Sequence, residues 1–431
     1  MSGPFMDVTI SRADPARVAA QLEGFARLSE PGSSTGVTRL AYTPLEREAH
    51  EAFAGTMHEL GCTVWTDQAG NTIAERSGDE PGLPALATGS HLDTVPDAGR
   101  FDGIAGVVAA METARIYAEH GIRHAHPIRF VAFAAEEGAR FGQACTGSRI
   151  VSGLTTVDDL YGKRDADGVS LADAMRSVGL DPSTVAEARW TPDEWAAFVE
   201  LHVEQGAVLE SMGTPVGIVE LISGSTRILL EVTGRASHTG GTPMHLRADA
   251  LAAAAEIVLL VESIAGDPRH RGTRATVGRL DSAPGTITTI AGRASLYVDV
   301  RDVDSDRQRD TASEIIARAE ALCTRRGVRL SSTLLADTSP VMLPAWLRQA
   351  VASTCAELGL DHRIMPSGAS HDAQMINNVI PSGMIFVPSR DGISHSPEEW
   401  SSPEALATGV DVLAASLLAL DRLLLVAPEQ P

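Results

Sequence analysis

Two apolar runs that end in metal-capable side chains constrain the fold of this chain more than any other feature. The first, LPALATGSHLDTV from Leu83, reads as a buried strand that runs into a loop, and a glycine-rich turn and a helix over about 104–120 follow it. The second, HPIRFVAFAAEEGARFG from His126, is another apolar strand, and it ends in acidic residues. Ahead of both, Pro44 to Gly61 carries apolar residues at helical spacing, and Gly61 with TVWTD marks a stop and a new strand. Strand, helix, strand with polar residues at the strand ends predicts an α/β fold on a doubly wound mixed sheet. In such folds ligands sit beyond the carboxyl ends of the strands.

The chain has 431 residues, more than a single hydrophobic core usually serves. The segment 214–337 has a different rhythm: a strand over Ile228 to Thr233, an alanine-rich helix over Leu246 to Ala265, strands near Ala275 and Ala294, a helix over Ser305 to Arg326, and a strand over Arg329 to Leu334. That order is α+β with antiparallel pairing. The simplest architecture is one domain, 1–213 with 338–431, interrupted by a self-contained α+β domain over 214–337.

The net charge of -21 repels phosphate backbones and anionic lipid, and no basic run reverses it locally, so nucleic acid and membrane are not expected partners. Cys62, Cys145, Cys323 and Cys355 are scattered without a CxxC pair and read as core thiols. The long apolar run near the C-terminus is broken by Asp421 and Arg422, and no leader pattern precedes the first helix, so a cytoplasmic protein is expected.

Five short stretches place metal-capable side chains at the ends of these elements: His91 and Asp93 in GSHLDTV, Asp102 in GRFDGIAG, Glu136 and Glu137 in AAEEGARFG, His202 in ELHVEQG, and His395 in GISHSPEEW. Singly each is weak, because a lone histidine is usually structural and paired glutamates usually form a wet face. Together they match a pair of hard cations, which need about one nitrogen and one carboxylate each plus a bridging carboxylate. One carboxylate remains to move protons in a hydrolysis. Adjacent Glu136 and Glu137 can divide the tasks of base and ligand, and Asp93 is spaced to orient the His91 ring.

The set HLDTV, RFDG, EEGARF, LHVEQG, RASHTGGTPM, SGASHDA and GISHSPEE, in this order from about Tyr42 to Ala419, resembles the hydantoinase/carbamoylase amidases. These form a branch of the di-metal aminoacylase and carboxypeptidase superfamily. The resemblance implies two divalent metal ions per subunit, with zinc, manganese, cobalt or nickel all compatible with an N/O ligand set. His91 and His202 are implied for one ion, Glu137 and His395 for the other, with Asp102 as the bridge and Glu136 as the general base. It also implies a cis bond between Asp102 and Gly103. The inserted domain becomes a lid and homodimer contact, with His238 of RASHTGG stabilising the oxyanion. Arg301 of LYVDVRD is implied to fork the carboxylate of a small substrate, and Gln205 to contact that substrate.

His202 in its HVEQG setting, where dipeptidase-like relatives carry an acid, favours carbamoylase chemistry over peptide cleavage. Two positions depart from the usual pattern: Thr288 replaces an asparagine that contacts substrate, and Ser370 precedes His371 and Asp372 where a glycine is usual. Hydrolysis of an N-carbamoyl amino acid to amino acid, CO2 and ammonia is the expectation. Allantoate or another N-acyl amino acid is the alternative substrate. An inert binding relative should have lost a ligand or the base, and none is missing here.

Overall fold

A computed structural model describes residues 12–32 and 35–426. The chain divides into two compact units: one holds the residues up to Glu220, Leu343–Ser367 and those from His371 onward, and the other holds Leu221–Met342 with Gly368–Ser370.

The larger unit is built on a mixed sheet. Its strands run in the spatial order Thr63–Thr66, Thr72–Arg76, Ile128–Phe133, Ala85–His91, Trp195–Val203, Ser382–Val387 and Val216–Ile222. The centre is parallel, since Ala85–His91 runs alongside both Ile128–Phe133 and Trp195–Val203, and Ser382–Val387 runs parallel to Trp195–Val203. The flanking pairs are antiparallel. Ala85–His91 is buried at every residue, as expected of a strand covered on both faces.

Cover on one face comes from the helices Pro15–Ala26, Pro44–Glu59, Ile104–Glu119 and Pro403–Val426, which join the sheet in one apolar cluster. Ile104–Glu119 is apolar nearly all round and buried along most of its length, the pattern of a helix inside a core. The charge that interrupts the last helix has a partner. Buried Asp421 accepts from the backbone N–H of Ala125 and His126 and lies 2.8 Å from the His126 ring. No helix among the described residues is long and apolar enough to cross a membrane.

The smaller unit is an antiparallel sheet in the order Arg329–Thr338, Gly224–Thr233, Arg293–Asp302, Arg274–Ala283. One face carries Ile228, Leu230, Val232, Leu296 and Val298, which pack against the helices Ala250–Ala265 and Ser305–Arg325. The period-two alternation of the strands puts these residues on one side. Asp249 and Asp304 cap the two helices by accepting first-turn N–H groups.

Candidate active site

The carboxyl ends of three neighbouring strands meet at one place. His91 is the last residue of Ala85–His91, His202 is the penultimate residue of Trp195–Val203, and Glu136 and Glu137 follow Ile128–Phe133. The turn after His91 brings Asp102 to the start of the Ile104–Glu119 helix, and His395 arrives on the loop before Pro403. Gly103 makes the first turn possible: it takes φ 68, and a Cβ there would lie 2.4 Å from the His91 ring. The bond from Asp102 to Gly103 is trans, against expectation, and Ala283–Pro284 is the cis bond among the described residues. A glycine free to take positive φ bends the chain here without one.

Asp102 is shared by two clusters. Its Oδ1 lies 3.1 Å from His202 Nε2 and 3.6 Å from His91 Nε2. Its Oδ2 lies 3.1 Å from His395 Nε2, and that same nitrogen is 3.2 Å from Glu137 Oε2. The groups His91, Asp102, His202 and Asp102, Glu137, His395 could therefore each hold a metal ion. His202 directs its Nδ1 to the Val203 carbonyl at 2.9 Å, and its Nε2, which faces the cluster, also accepts the Gly103 N–H at 3.1 Å.

The electrostatics fit cations. Burial alone would keep the His202 ring neutral, yet Asp102 outweighs it and holds the ring up to about 9. His395, facing Asp102 and Glu137, is held up to about 11. Burial raises Glu136 to about 7; the Glu137 charge adds to this and His91 opposes it. Carboxylates that drive imidazoles toward protonation form a centre short of positive charge, and Glu137 Oε1 is buried there without a hydrogen-bond partner. A donor set of nitrogen and oxygen without thiolate suits hard or borderline divalent ions.

Two expected residues, Asp93 and Gln205, have partners beyond those read from their sequence. The Asp93 carboxylate is 3.5 Å from His91 Nδ1, which lies closer, at 3.1 Å, to the Asp93 carbonyl oxygen. Its oxygens instead accept the backbone N–H groups of Glu136 at 2.8 Å and Glu137 at 3.1 Å, so Asp93 fixes the acidic pair. Gln205 donates through Nε2 to Asp102 Oδ2 at 2.6 Å and to Ser394 Oγ at 3.2 Å.

Other residues around the site had no forecast role. Glu399 accepts the N–H groups of Phe101 and Asp102 and the Ser394 hydroxyl, and Ser394 also reaches Asp102 Oδ2 at 3.1 Å. The Cys145 thiol donates to Glu136 Oε1. Glu200 and His371 form a third group with His202, but Glu200 already accepts from Ser90 Oγ and Ala373 N, and His371 Nε2 pairs with Ser367 Oγ. Glu200 carries the one available signal, lying two residues before His202 on the same face of its strand.

The smaller unit carries the other three expected residues. Exposed His238, on a short strand paired with Thr289–Ile290, accepts at Nδ1 from the N–H groups of Gly240 and Gly241, both at 3.1 Å. A ring nitrogen that accepts twice carries no proton, so Nε2 is the donor. Arg301 donates through Nε to Asp299 at 2.9 Å and through Nη1 to the Gly368 carbonyl at 3.3 Å. Thr288 is exposed, and its carbonyl accepts from Thr239 N at 3.1 Å.

Residues 87–419 match peptidase family M20/M25/M40. The crystal structure of an amidase of the hydantoinase/carbamoylase family from Burkholderia vietnamiensis superposes with a TM-score of 0.87 at 32% identity, covering 96% of this chain and 98% of that one. The chain is also 43% identical to the N-carbamoyl-L-amino acid amidohydrolase of Geobacillus stearothermophilus, over 88% of this chain and 92% of the relative. This chain belongs to the M20/M25/M40 family, in its hydantoinase/carbamoylase branch. A further branch relative, the ureidoglycolate hydrolase of Arabidopsis thaliana, is 36% identical over 90% of this chain and 83% of its own length. As a member of this branch the chain is a hydrolase of C–N bonds other than peptide bonds.

Proposed function

We propose that this amidase hydrolyses the carbamoyl C–N bond of an N-carbamoyl amino acid, releasing amino acid, CO2 and ammonia. The observation that carries the reading is Asp102 divided between two nitrogen and oxygen clusters, with the buried carboxyl of Glu136 beside them and outside both. His91, His202 and Asp102 Oδ1 would hold one divalent ion, and Glu137, His395 and Asp102 Oδ2 a second. When bound, such ions supply Lewis acidity and a water acidic enough to ionise near neutral pH.

The residues of the chain do the rest. Glu136, a buried carboxyl beside both clusters and in neither, takes a proton from the attacking water and hands it to the departing nitrogen. Its Oε1 is engaged with Cys145, so Oε2 is the atom that carries the proton. His238 offers an Nε2–H to the oxyanion, with its Nδ1 fixed by two glycine N–H groups. Arg301 is the candidate fork for the substrate carboxylate, with Gln205 and Thr288 as neighbouring contacts. We also propose that the chain works as a homodimer joined through the inserted unit, with His238 serving the partner's site.

Similarity to the plant ureidoglycolate hydrolase and to the allantoate amidohydrolase of Bacillus subtilis supports a second substrate class, ureido acids such as allantoate. A panel of N-carbamoyl, N-formyl and N-acetyl amino acids with allantoate, incubated with metal-loaded protein and followed by ammonia release and amino-acid appearance, separates the two. Ammonia from the carbamoyl amino acids is expected. Release from allantoate alone would replace the first reading with the second, and cleavage of acyl compounds alone would overturn both.

A further inference from the structure

Glu136 is gripped at both ends by one residue nine positions later. The Cys145 N–H donates to the Glu136 carbonyl at 2.6 Å, and the Cys145 thiol lies 2.9 Å from Glu136 Oε1. Cys145 is 1% exposed, and its backbone is left-handed, at φ 59 and ψ 37, where it precedes the short helix Thr146–Val151.

That backbone is costly for any residue with a Cβ and comfortable for glycine. Tolerating it makes sense where the side chain supplies something that glycine lacks. The side chain here supplies one donor, and the donor points at the base. A carboxylate at the end of a glutamate has two rotatable bonds beyond Cβ, so without a fixed partner its oxygens can swing away from the reacting water. The other three thiols, Cys62, Cys323 and Cys355, are also buried, but none has a carboxylate within hydrogen-bonding reach among the bonds described.

We propose that Cys145 is a positioning residue: its thiol pins Glu136 Oε1 and thereby aims Oε2 at the water and the departing nitrogen. The proposal rests on Glu136 acting as the base. It involves no covalent step and no change in the oxidation state of the sulfur.

The test combines turnover with a measurement that needs no substrate. Cys145→Ala, Cys145→Ser and Cys145→Gly are assayed on whichever member of the substrate panel the parent cleaves, with metal content and thermal midpoint recorded for each. Loss of aim at the reacting atoms should lower kcat about ten- to a hundredfold in Cys145→Ala with KM and metal content close to the parent's. Cys145→Ser restores a donor at a slightly shorter reach and should recover most of that loss. Cys145→Gly relieves the left-handed backbone, so it should be at least as heat-resistant as Cys145→Ala while turning over no faster, a combination that a purely structural role does not produce. Parent-like kcat in Cys145→Ala, a kcat loss that tracks lost metal, or a serine variant as slow as alanine would each overturn the proposal.

The infrared S–H stretch, assigned by its disappearance in Cys145→Ala, should lie below those of the other three thiols. It should move up in Glu136→Ala. An unshifted band overturns the proposal even if the parent cleaves nothing in the panel, in which case the substrate reading fails separately.

Discussion

Glu399 holds the backbone of Asp102: its Oε2 accepts the Asp102 N–H at 3.1 Å and that of Phe101 at 2.9 Å. Its Oε1 accepts the Ser394 hydroxyl at 2.7 Å, and Ser394 lies against Asp102 Oδ2. Both the main chain and the shared carboxylate of Asp102 are thus tied to one buried glutamate. Such outer partners typically contribute about ten- to a hundredfold in metal affinity. Glu399→Ala should weaken metal retention by that amount in competition with a chelator. Glu399→Gln, whose amide oxygen can still accept both N–H groups, should lose less. Unchanged retention in the alanine variant would reduce Glu399 to a packing residue.

Base and ligands separate by what their removal takes away. Glu136→Gln should keep its metal while turnover falls by at least about two orders of magnitude, the scale of general acid-base loss. His91→Ala, Asp102→Ala and His395→Ala should instead lower bound metal, because each deletes a nitrogen or oxygen of a cluster. Elemental analysis of the purified variants decides it, and parent-like metal content in all three would remove these residues from the ligand set.

His50 gives the fold a pH dependence unconnected with the site. It is buried on the helix Pro44–Glu59, with Nδ1 at 2.9 Å from Thr72 Oγ1; burial, helped by Arg47 and Arg39, holds its pKa well below the ordinary value of 6.5. Above that pH both folded and unfolded chains carry a neutral ring, and the group has no effect. Below it only the unfolded chain takes the proton, so stability falls as the pH drops, by up to about 1.4 kcal/mol per unit. Urea unfolding of the parent and of His50→Asn between pH 7.5 and 5.5, in one metal-loaded buffer, should show the steeper fall in the parent. Parallel slopes would mean that the folded His50 titrates normally.

Four of the clustered residues were legible for a physical reason: His91, Glu136, Glu137 and His202 are polar groups at the carboxyl ends of apolar strands, and a buried strand that ends in a carboxylate has to find it a partner, whereas Asp102 and His395 lie on a turn and a loop and were picked out by their motifs. Asp421 was legible only as an interruption, because its partners Ala125 and His126 lie almost 300 positions earlier in the chain. Cys145 left no pattern to read, and Ser394 and Glu399 stood out only as members of the GISHSPEE stretch, with no role attached. They act by accepting or donating single hydrogen bonds across the fold, and such bonds have no periodicity. Asp93 shows the same limit. Spacing suggested the His91 ring as its partner, and Oδ1 does lie 3.5 Å from that ring, but its nearer contacts are the backbone N–H groups of Glu136 and Glu137, which only the pairing of Ala85–His91 with Ile128–Phe133 brings alongside.

If His238 serves the partner subunit, two dead proteins should make a live one. A His238→Ala protomer paired with a Glu136→Gln protomer has one complete site of two, so the exchanged hybrid should regain up to about half the activity of the parent per hybrid dimer, the rest of the mixture staying inactive. Verified subunit exchange without recovery would place His238 in the site of its own chain or outside catalysis, and a monomer in solution would remove the dimer itself.

In the proposed reading, Arg301 and Thr288 set the choice of substrate. Arg301 is already oriented by Asp299 and the Gly368 carbonyl, which leaves a guanidinium held in place rather than swinging on its stem. If Arg301 holds the substrate carboxylate as proposed, a fixed fork that loses this partner is left unpaired, so amides of good substrates should lose several kcal/mol of transition-state binding, on the order of a hundredfold or more in kcat/KM. Thr288 offers one hydroxyl where the usual asparagine offers an amide with two donors and an acceptor, and it is shorter. The preferred substrate should therefore be bulkier or less polar beside its carboxylate than the common carbamoyl amino acids, and Thr288→Asn should shift preference back toward them. Ranking the panel by kcat/KM for the parent, Thr288→Asn and Arg301→Ala decides the matter. An unchanged ranking in the asparagine variant, or equal treatment of acids and amides by Arg301→Ala and the parent alike, would move recognition of the carboxylate to other residues while leaving the chemistry at Glu136 intact.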